Sequence, residues 1–157
     1  MILELFENIN QPYETLTEDG CILYPEQCYY LCKISISSLI ASLYALYKEY
    51  YELALIPFGV FLTSINYWIH PDYGWRRKLD IIYVSCSLTY QVTRAYRAEN
   101  AYYYYALLGI GISSFPLGVL YRNNVRASTF LHSLVHIFGN ISNIVLYSGS
   151  IPKLWNM

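Results

Sequence analysis

Three histidines are the residues of this chain whose type and spacing best suit chemistry. His132 and His136 lie four positions apart within one apolar segment, so on a helix they share a face. His70 closes another apolar segment. Ionisable side chains at membrane depth are costly and often mark a functional site. Three imidazoles with one open coordination position suit Zn²⁺, which polarises a carbonyl group and lowers the pKa of bound water.

Polar residues near His70 would supply the other parts of a hydrolytic site. Asp80 would act as the base for a zinc-bound water, or would orient a histidine ligand. Asn66 or Ser64, a short distance before His70, would donate a hydrogen bond to a developing oxyanion. This alternative is a membrane-embedded zinc-dependent hydrolase of a lipid amide or ester.

A structural role is the competing interpretation for each of these residues. His70 precedes Pro71 and fits a solvated turn, whereas the pair His132 and His136 fits hydrogen bonding between helices. Asp80 fits an ion pair with a nearby arginine, or a cap on the third helix. Because every polar residue has such an explanation, the preferred interpretation is a non-catalytic protein with no cofactor, which acts through helix contacts or lipid headgroups.

The composition indicates that lipid is the solvent of this chain. Apolar residues make up 55% and charged residues only 13%, and a soluble protein with that balance would expose large apolar patches. The 19 tyrosines suit a chain with many boundaries between water and lipid. A net charge of −1 gives no basis for a nucleic-acid partner.

Five apolar segments predict an all-α integral membrane bundle with about five transmembrane helices, because each approaches the ~20 residues that a membrane helix needs. The first, with Lys33 and several serines, is the weakest. The predicted organisation is an acidic extramembrane segment at 1–29, a transmembrane bundle at 30–150 and a short tail at 151–157. The five segments lie at about 30–47, 53–69, 79–93, 101–121 and 128–148.

The short connections predict that consecutive helices pack as antiparallel neighbours. Gly139, Ser142 and Gly149 are small residues that favour close packing of the fifth helix. Helix parity also places the second segment's end, the third segment's start and the fifth segment's start in one leaflet. The candidate residues therefore share a leaflet: Ser64, Asn66, His70, Asp80, His132 and His136. No ionisable run crosses the full membrane thickness, so a channel or transporter is the weaker expectation.

The loop after the second segment carries the strongest basic cluster, Arg76, Arg77 and Lys78. An excess of Lys and Arg on this side predicts a cytoplasmic N-terminus. The cluster also suits contact with anionic lipid headgroups. Aromatic residues around the loop are most simply interfacial anchors, namely Tyr67, Trp68, Tyr73 and Trp75.

The order of His70, Asp80 and the His132–His136 pair resembles the membrane hydrolase superfamily that contains alkaline ceramidases and adiponectin-receptor-like proteins. The resemblance implies zinc bound by the three histidines, with Asp80 and a residue near His70 in catalysis. Asn66 stands where that superfamily has a serine, and five segments replace its seven helices.

The stretch from 63 to 80 has a second resemblance. Its Asn-Tyr-Trp, proline, Trp-Arg-Arg and aspartate look like short multi-pass membrane proteins of large DNA viruses and microbial eukaryotes. That resemblance implies membrane insertion and no particular activity, and its pattern does not require His70.

Overall fold

A computed structural model describes residues 23–152, and within that range the chain is entirely helical apart from turns. The all-α prediction is confirmed. The five helices are α1 (Pro25–Tyr47), α2 (Tyr51–Trp68), α3 (Trp75–Ala95), α4 (Ala101–Leu120) and α5 (Val125–Ser148). The predicted segment 1–29 and tail 151–157 lie mostly outside the described residues.

Local sequence signals explain where several helices start and stop. Pro25 occupies the first turn of α1, where a missing N–H costs nothing, and the Gln27 side chain accepts from the backbone of Tyr24. The Asn124 side chain accepts a hydrogen bond from the Ala127 backbone and caps α5. Pro71 lies in the short turn between α2 and α3, because proline cannot continue a helix.

The helices pack in the spatial order α4, α5, α1, α2, α3. Consecutive helices are neighbours, as predicted, except that α3 barely touches α4. The first and last helices pack together instead. Gln27 of α1 donates a hydrogen bond to Thr129 of α5. Further along the same interface, Asn140 of α5 donates hydrogen bonds to Ser37 and Ser38 of α1. Because both helices advance in the same direction between these contacts, α1 and α5 are parallel.

The polarity of the bundle is inverted relative to a water-soluble protein. Among the described residues, buried polar side chains are as numerous as buried apolar ones, whereas large apolar side chains crowd the exterior. Helix α3 is the clearest example, because Ile81, Ile82 and Val84 are exposed. Its buried side is polar and comprises Asp80, Ser87, Gln91 and Arg94. This arrangement suits a bundle whose surroundings are hydrocarbon.

Three helices, α1, α4 and α5, are long and apolar enough to cross a membrane by themselves. The prediction of five such helices is therefore too high by this measure. The prediction that the first segment is the weakest is also wrong, since α1 qualifies and α2 and α3 do not. The reason is polarity: α3 carries basic residues and Asp80, and the 18 residues of α2 include Glu52 and Asn66, which lower its mean hydropathy.

Small residues bring α4 and α5 close together, and the glycines with the tightest surroundings on α4 are ones that the sequence analysis did not single out. A Cβ at Gly111 would lie 3.2 Å from Phe138, and one at Gly118 would lie 3.5 Å from Leu131. The predicted packing role of Gly149 is consistent with its approach to Asn100. Gly139 takes part through its backbone, because a Cβ at Gly111 of α4 would lie 3.5 Å from the Gly139 nitrogen. The Cβ direction of Gly139 itself borders open space, since a Cβ there would meet nothing within 4 Å.

Candidate functional site

The His132 and His136 rings lie beside the indole of Trp68 at one end of the bundle. Their centroids are 5.4 Å apart, and the Trp68 ring is 5.3 Å from His132 and 6.5 Å from His136 in edge-on geometry. Phe115 of α4 lies 6.3 Å from His132. Residues from α2, α4 and α5 thus form one aromatic cluster, named here the histidine cluster: Trp68, Phe115, His132 and His136.

Several nitrogens of the histidine cluster have no protein partner. Trp68 is only 5% exposed, and its Nε1 is buried without a hydrogen bond. His132 and His136 are half-buried, and within residues 23–152 their rings contact other rings without forming hydrogen bonds or ion pairs. An unpaired N–H group in apolar surroundings costs free energy until a polar group satisfies it.

His70 does not join this cluster. Its Nδ1 lies 3.6 Å from the Asp72 carboxylate, and its side chain is 41% exposed. Trp68 faces the paired histidines and is the last residue of α2, so His70 lies beyond the helix, in the turn. No group of three His, Cys, Asp or Glu side chains with metal-binding geometry occurs in residues 23–152.

Asp80 forms a separate polar contact between α2 and α3. Its Oδ1 accepts hydrogen bonds from the hydroxyls of Thr63 and Ser64, at 2.8 and 2.9 Å. The Ser64 hydroxyl proton is therefore already committed to the carboxylate. Asn66 is half-buried and lies two residues before Trp68, so it points away from the histidine cluster.

The residues proposed to bind zinc and to catalyse hydrolysis thus lie in three separate parts of the structure. His132 and His136 lie together, His70 lies in the turn, and Asp80 binds Ser64. This set does not fit a single three-histidine zinc centre with an adjacent base. The hydrolase alternative stays a prediction from the sequence, and no reaction step is derived from it.

A second polar cluster at the opposite end of the bundle was missed by the sequence reasoning. Gln91 of α3 donates to the Tyr147 hydroxyl at 3.2 Å, and that hydroxyl lies 3.5 Å from the Leu53 carbonyl oxygen. Arg94, 4% exposed, forms an ion pair with Glu52. The available signal was spacing, since residues 87, 91 and 94 recur on one face of α3.

Arg94 also holds the segment that follows α5. Its Nη1 donates to the Pro152 carbonyl at 2.7 Å. Its Nε is buried without a partner among residues 23–152, as is the hydroxyl of Tyr104. The polar end cluster is defined as Glu52, Gln91, Arg94, Tyr104 and Tyr147.

The basic residues predicted for a loop lie in the first turn of α3, at the same end of the bundle as the histidine cluster. Arg76 stacks near Trp75, at 5.8 Å from the ring centre, and Arg77 lies 5.2 Å from the Tyr73 ring centre. Trp75 is 65% exposed, in keeping with an interfacial position. The corresponding prediction for Tyr67 and Trp68 is wrong, because both are buried against α1.

No protein-family model matches this chain, and no curated protein or solved structure shows significant similarity to it. The fold and the two polar clusters define the class: an all-α protein with three helices suited to a membrane and an apolar exterior. Both family resemblances remain predictions from the sequence.

Proposed function

We propose that this protein is a multi-pass integral membrane protein in which all five helices cross the bilayer, with a non-catalytic role. Inverted polarity is the observation that supports this proposal. The exposed side of α3 carries large apolar side chains together with hydroxyl side chains that bond to carbonyls of the same helix, and its buried side holds Asp80 and Arg94, each with a protein partner. A charged helix crosses a membrane at acceptable cost when its charges face inward and are paired.

The basic residues at the start of α3 support a contact with lipid headgroups. Arg76, Arg77 and Lys78 lie together at one end of the bundle, and Lys78 is exposed. Each basic residue near an anionic membrane surface contributes about 1 kcal/mol to the attraction. In this proposal the start of α3 faces the cytoplasm together with the N-terminus, and the acidic segment before α1 lies outside the bilayer on that side.

Cysteine labelling tests the five-span arrangement. In a background without native cysteines, Lys78→Cys and Arg97→Cys flank α3 at its two ends. A membrane-impermeant maleimide added to sealed, oriented vesicles is expected to label one of them from outside and the other only after permeabilisation. If both react from the same side, α2 and α3 do not cross and the five-span proposal is wrong.

Native Cys86 provides an internal control for the same experiment. It lies near the middle of α3 with an exposed side chain. In a bilayer this position faces hydrocarbon, so Cys86 alone is expected to resist the reagent in intact and permeabilised vesicles. Labelling of Cys86 as fast as Arg97→Cys would show that α3 lies in water.

A further inference from the structure

The inner face of α5 carries polar residues from one end of the helix to the other. His132, His136, Asn143 and Tyr147 recur at helical spacing, so they lie on one side of α5. Contacts at both ends show which way this side points. His132 faces Trp68 of α2, and Tyr147 faces Gln91 of α3 and the Leu53 carbonyl of α2. The name α5 polar face is used for these four residues.

Unpartnered buried polar atoms occur at both ends of the α5 polar face. Trp68 Nε1 lies at the histidine end, and Tyr104 Oη and Arg94 Nε lie at the other end. An unsatisfied polar group in a membrane interior costs several kcal/mol. Water that enters along this face would satisfy all three atoms at once, because water both donates and accepts hydrogen bonds.

The α5 polar face covers most of the thickness of a bilayer's hydrocarbon core. At about 1.5 Å per residue, His132 and Tyr147 are about 22 Å apart along the helix, in a hydrocarbon core about 30 Å thick. Along the α5 polar face, the widest gap between successive polar side chains lies between His136 and Asn143. Gly139 occupies this interval and borders open space, so the backbone leaves room there.

We propose that the α5 polar face is a proton pathway across the membrane. His132 and His136 serve as relays at one end. Water along the face carries the proton from His136 to the Tyr147 hydroxyl and on to the Glu52 carboxylate. Asn143 and Gln91 hydrogen-bond and position these groups, and neither amide carries the proton. The Glu52 side chain is 49% exposed and opens this end to water. The proposal goes beyond the proposed function and depends on its five-span arrangement.

The relay chemistry needs only neutral imidazoles. Each ring accepts a proton on its free nitrogen and releases the proton held by the other nitrogen, so its charge is unchanged after one transfer. Exchange between the two tautomers, by ring rotation or a return path through water, restores the starting state. The rings face Trp68 from α2 and Phe115 from α4, and within residues 23–152 no charged side chain pairs with them.

A matched pair of glycine substitutions tests the pathway. Gly139 and Gly109 both border open space, but Gly109 lies on the exposed side of α4. The full chain is reconstituted into liposomes that contain pyranine, and a valinomycin-clamped potassium gradient drives proton entry. Wild type and Gly109→Leu are expected to acidify the interior faster than protein-free vesicles. Gly139→Leu is expected to fall to the protein-free rate, because its side chain fills the pathway.

A hydroxyl deletion provides a second test that preserves volume. Tyr147→Phe removes the oxygen that accepts from Gln91 and leaves the ring, so helical content is retained while proton entry is lost. Wild-type flux at the protein-free rate overturns the proposal. Equal rates in Gly139→Leu and Gly109→Leu overturn it too, as does pyranine leakage, which would indicate unspecific pores. Cysteine labelling tests the five-span arrangement without measuring proton flux. A failure of the proton-pathway proposal can therefore be distinguished from a failure of the five-span proposal.

Discussion

Single residues decide which parts of the predicted site hold together. The i, i+4 spacing was sufficient to bring His132 and His136 onto one face, and their ring centroids are 5.4 Å apart. The placement of His70 needed more than spacing. Its ring direction depends on where α2 ends, and α2 ends at Trp68, so His70 belongs to the turn and pairs with Asp72.

Trp68 shows why the rest of the candidate site was not predictable. A tryptophan near the end of an apolar segment is typical of an interfacial anchor. Trp68 instead lies inside, against Tyr67 and Leu31, because rotation of α2 about its axis is set by its packing on α1. That rotation comes from contacts between distant parts of the chain, which composition and periodicity do not specify.

Asp80 offers a prediction at the residue scale. Its Oδ1 accepts from Thr63 and Ser64, and an amide oxygen in Asp80→Asn accepts the same two bonds without a buried charge. The thermal midpoint in detergent is expected to stay equal or rise. Asp80→Leu leaves the Ser64 hydroxyl without its partner and is expected to cost about 1–3 kcal/mol. If Asp80→Asn is as damaging as Asp80→Leu, the negative charge itself is required.

At the scale of elements, the hydropathy pattern identified five helices correctly. It was wrong about which of them are apolar enough to cross a membrane. α1 was underrated because its serines and Lys33 lower its apolarity, although the serines Ser35, Ser38 and Ser42 are buried. α3 was overrated as a simple span. The charged side chains Asp80 and Arg94 face inward. The spacing of Asp80, Gln91 and Arg94 along the sequence is consistent with one polar side of a helix.

The tight α4–α5 contact gives a prediction for a pair of glycines. At Gly111 a side chain would press on Phe138 and on the α5 backbone near Val135, whereas at Gly109 it would meet nothing. Gly111→Leu is therefore expected to lower the thermal midpoint in detergent. Gly109→Leu is expected to raise stability by about 0.5–1 kcal/mol, since glycine weakens helix interiors. Equal effects of the two changes would contradict the close approach of these helices.

At the scale of the whole molecule, the chain closes on itself by packing its first helix against its last. Short loops predicted neighbours correctly for most consecutive pairs, but loop length carries no information about α1 and α5. That pairing depends on polar side chains far apart in sequence, such as Gln27 with Thr129. Consequently α3 is left at the edge of the bundle, with Ile81, Ile82 and Val84 exposed.

The junction at Asn140 allows this closure to be measured. Asn140 Nδ2 donates to Ser37, Ser38 and the His136 carbonyl, so it retains an acceptor when one serine is removed. Ser37→Ala and Ser38→Ala are each expected to cost little, and the double variant is expected to cost more than their sum. Asn140→Leu is expected to cost about 1 kcal/mol or more, because both serine hydroxyls of α1 lose their partner on α5.

Thermal denaturation in detergent measures each change. Ser113→Ala is the control, since that exposed hydroxyl bonds within its own helix, to the Gly109 carbonyl. Strict additivity of the two serine changes would show that Asn140 does not join the first helix to the last.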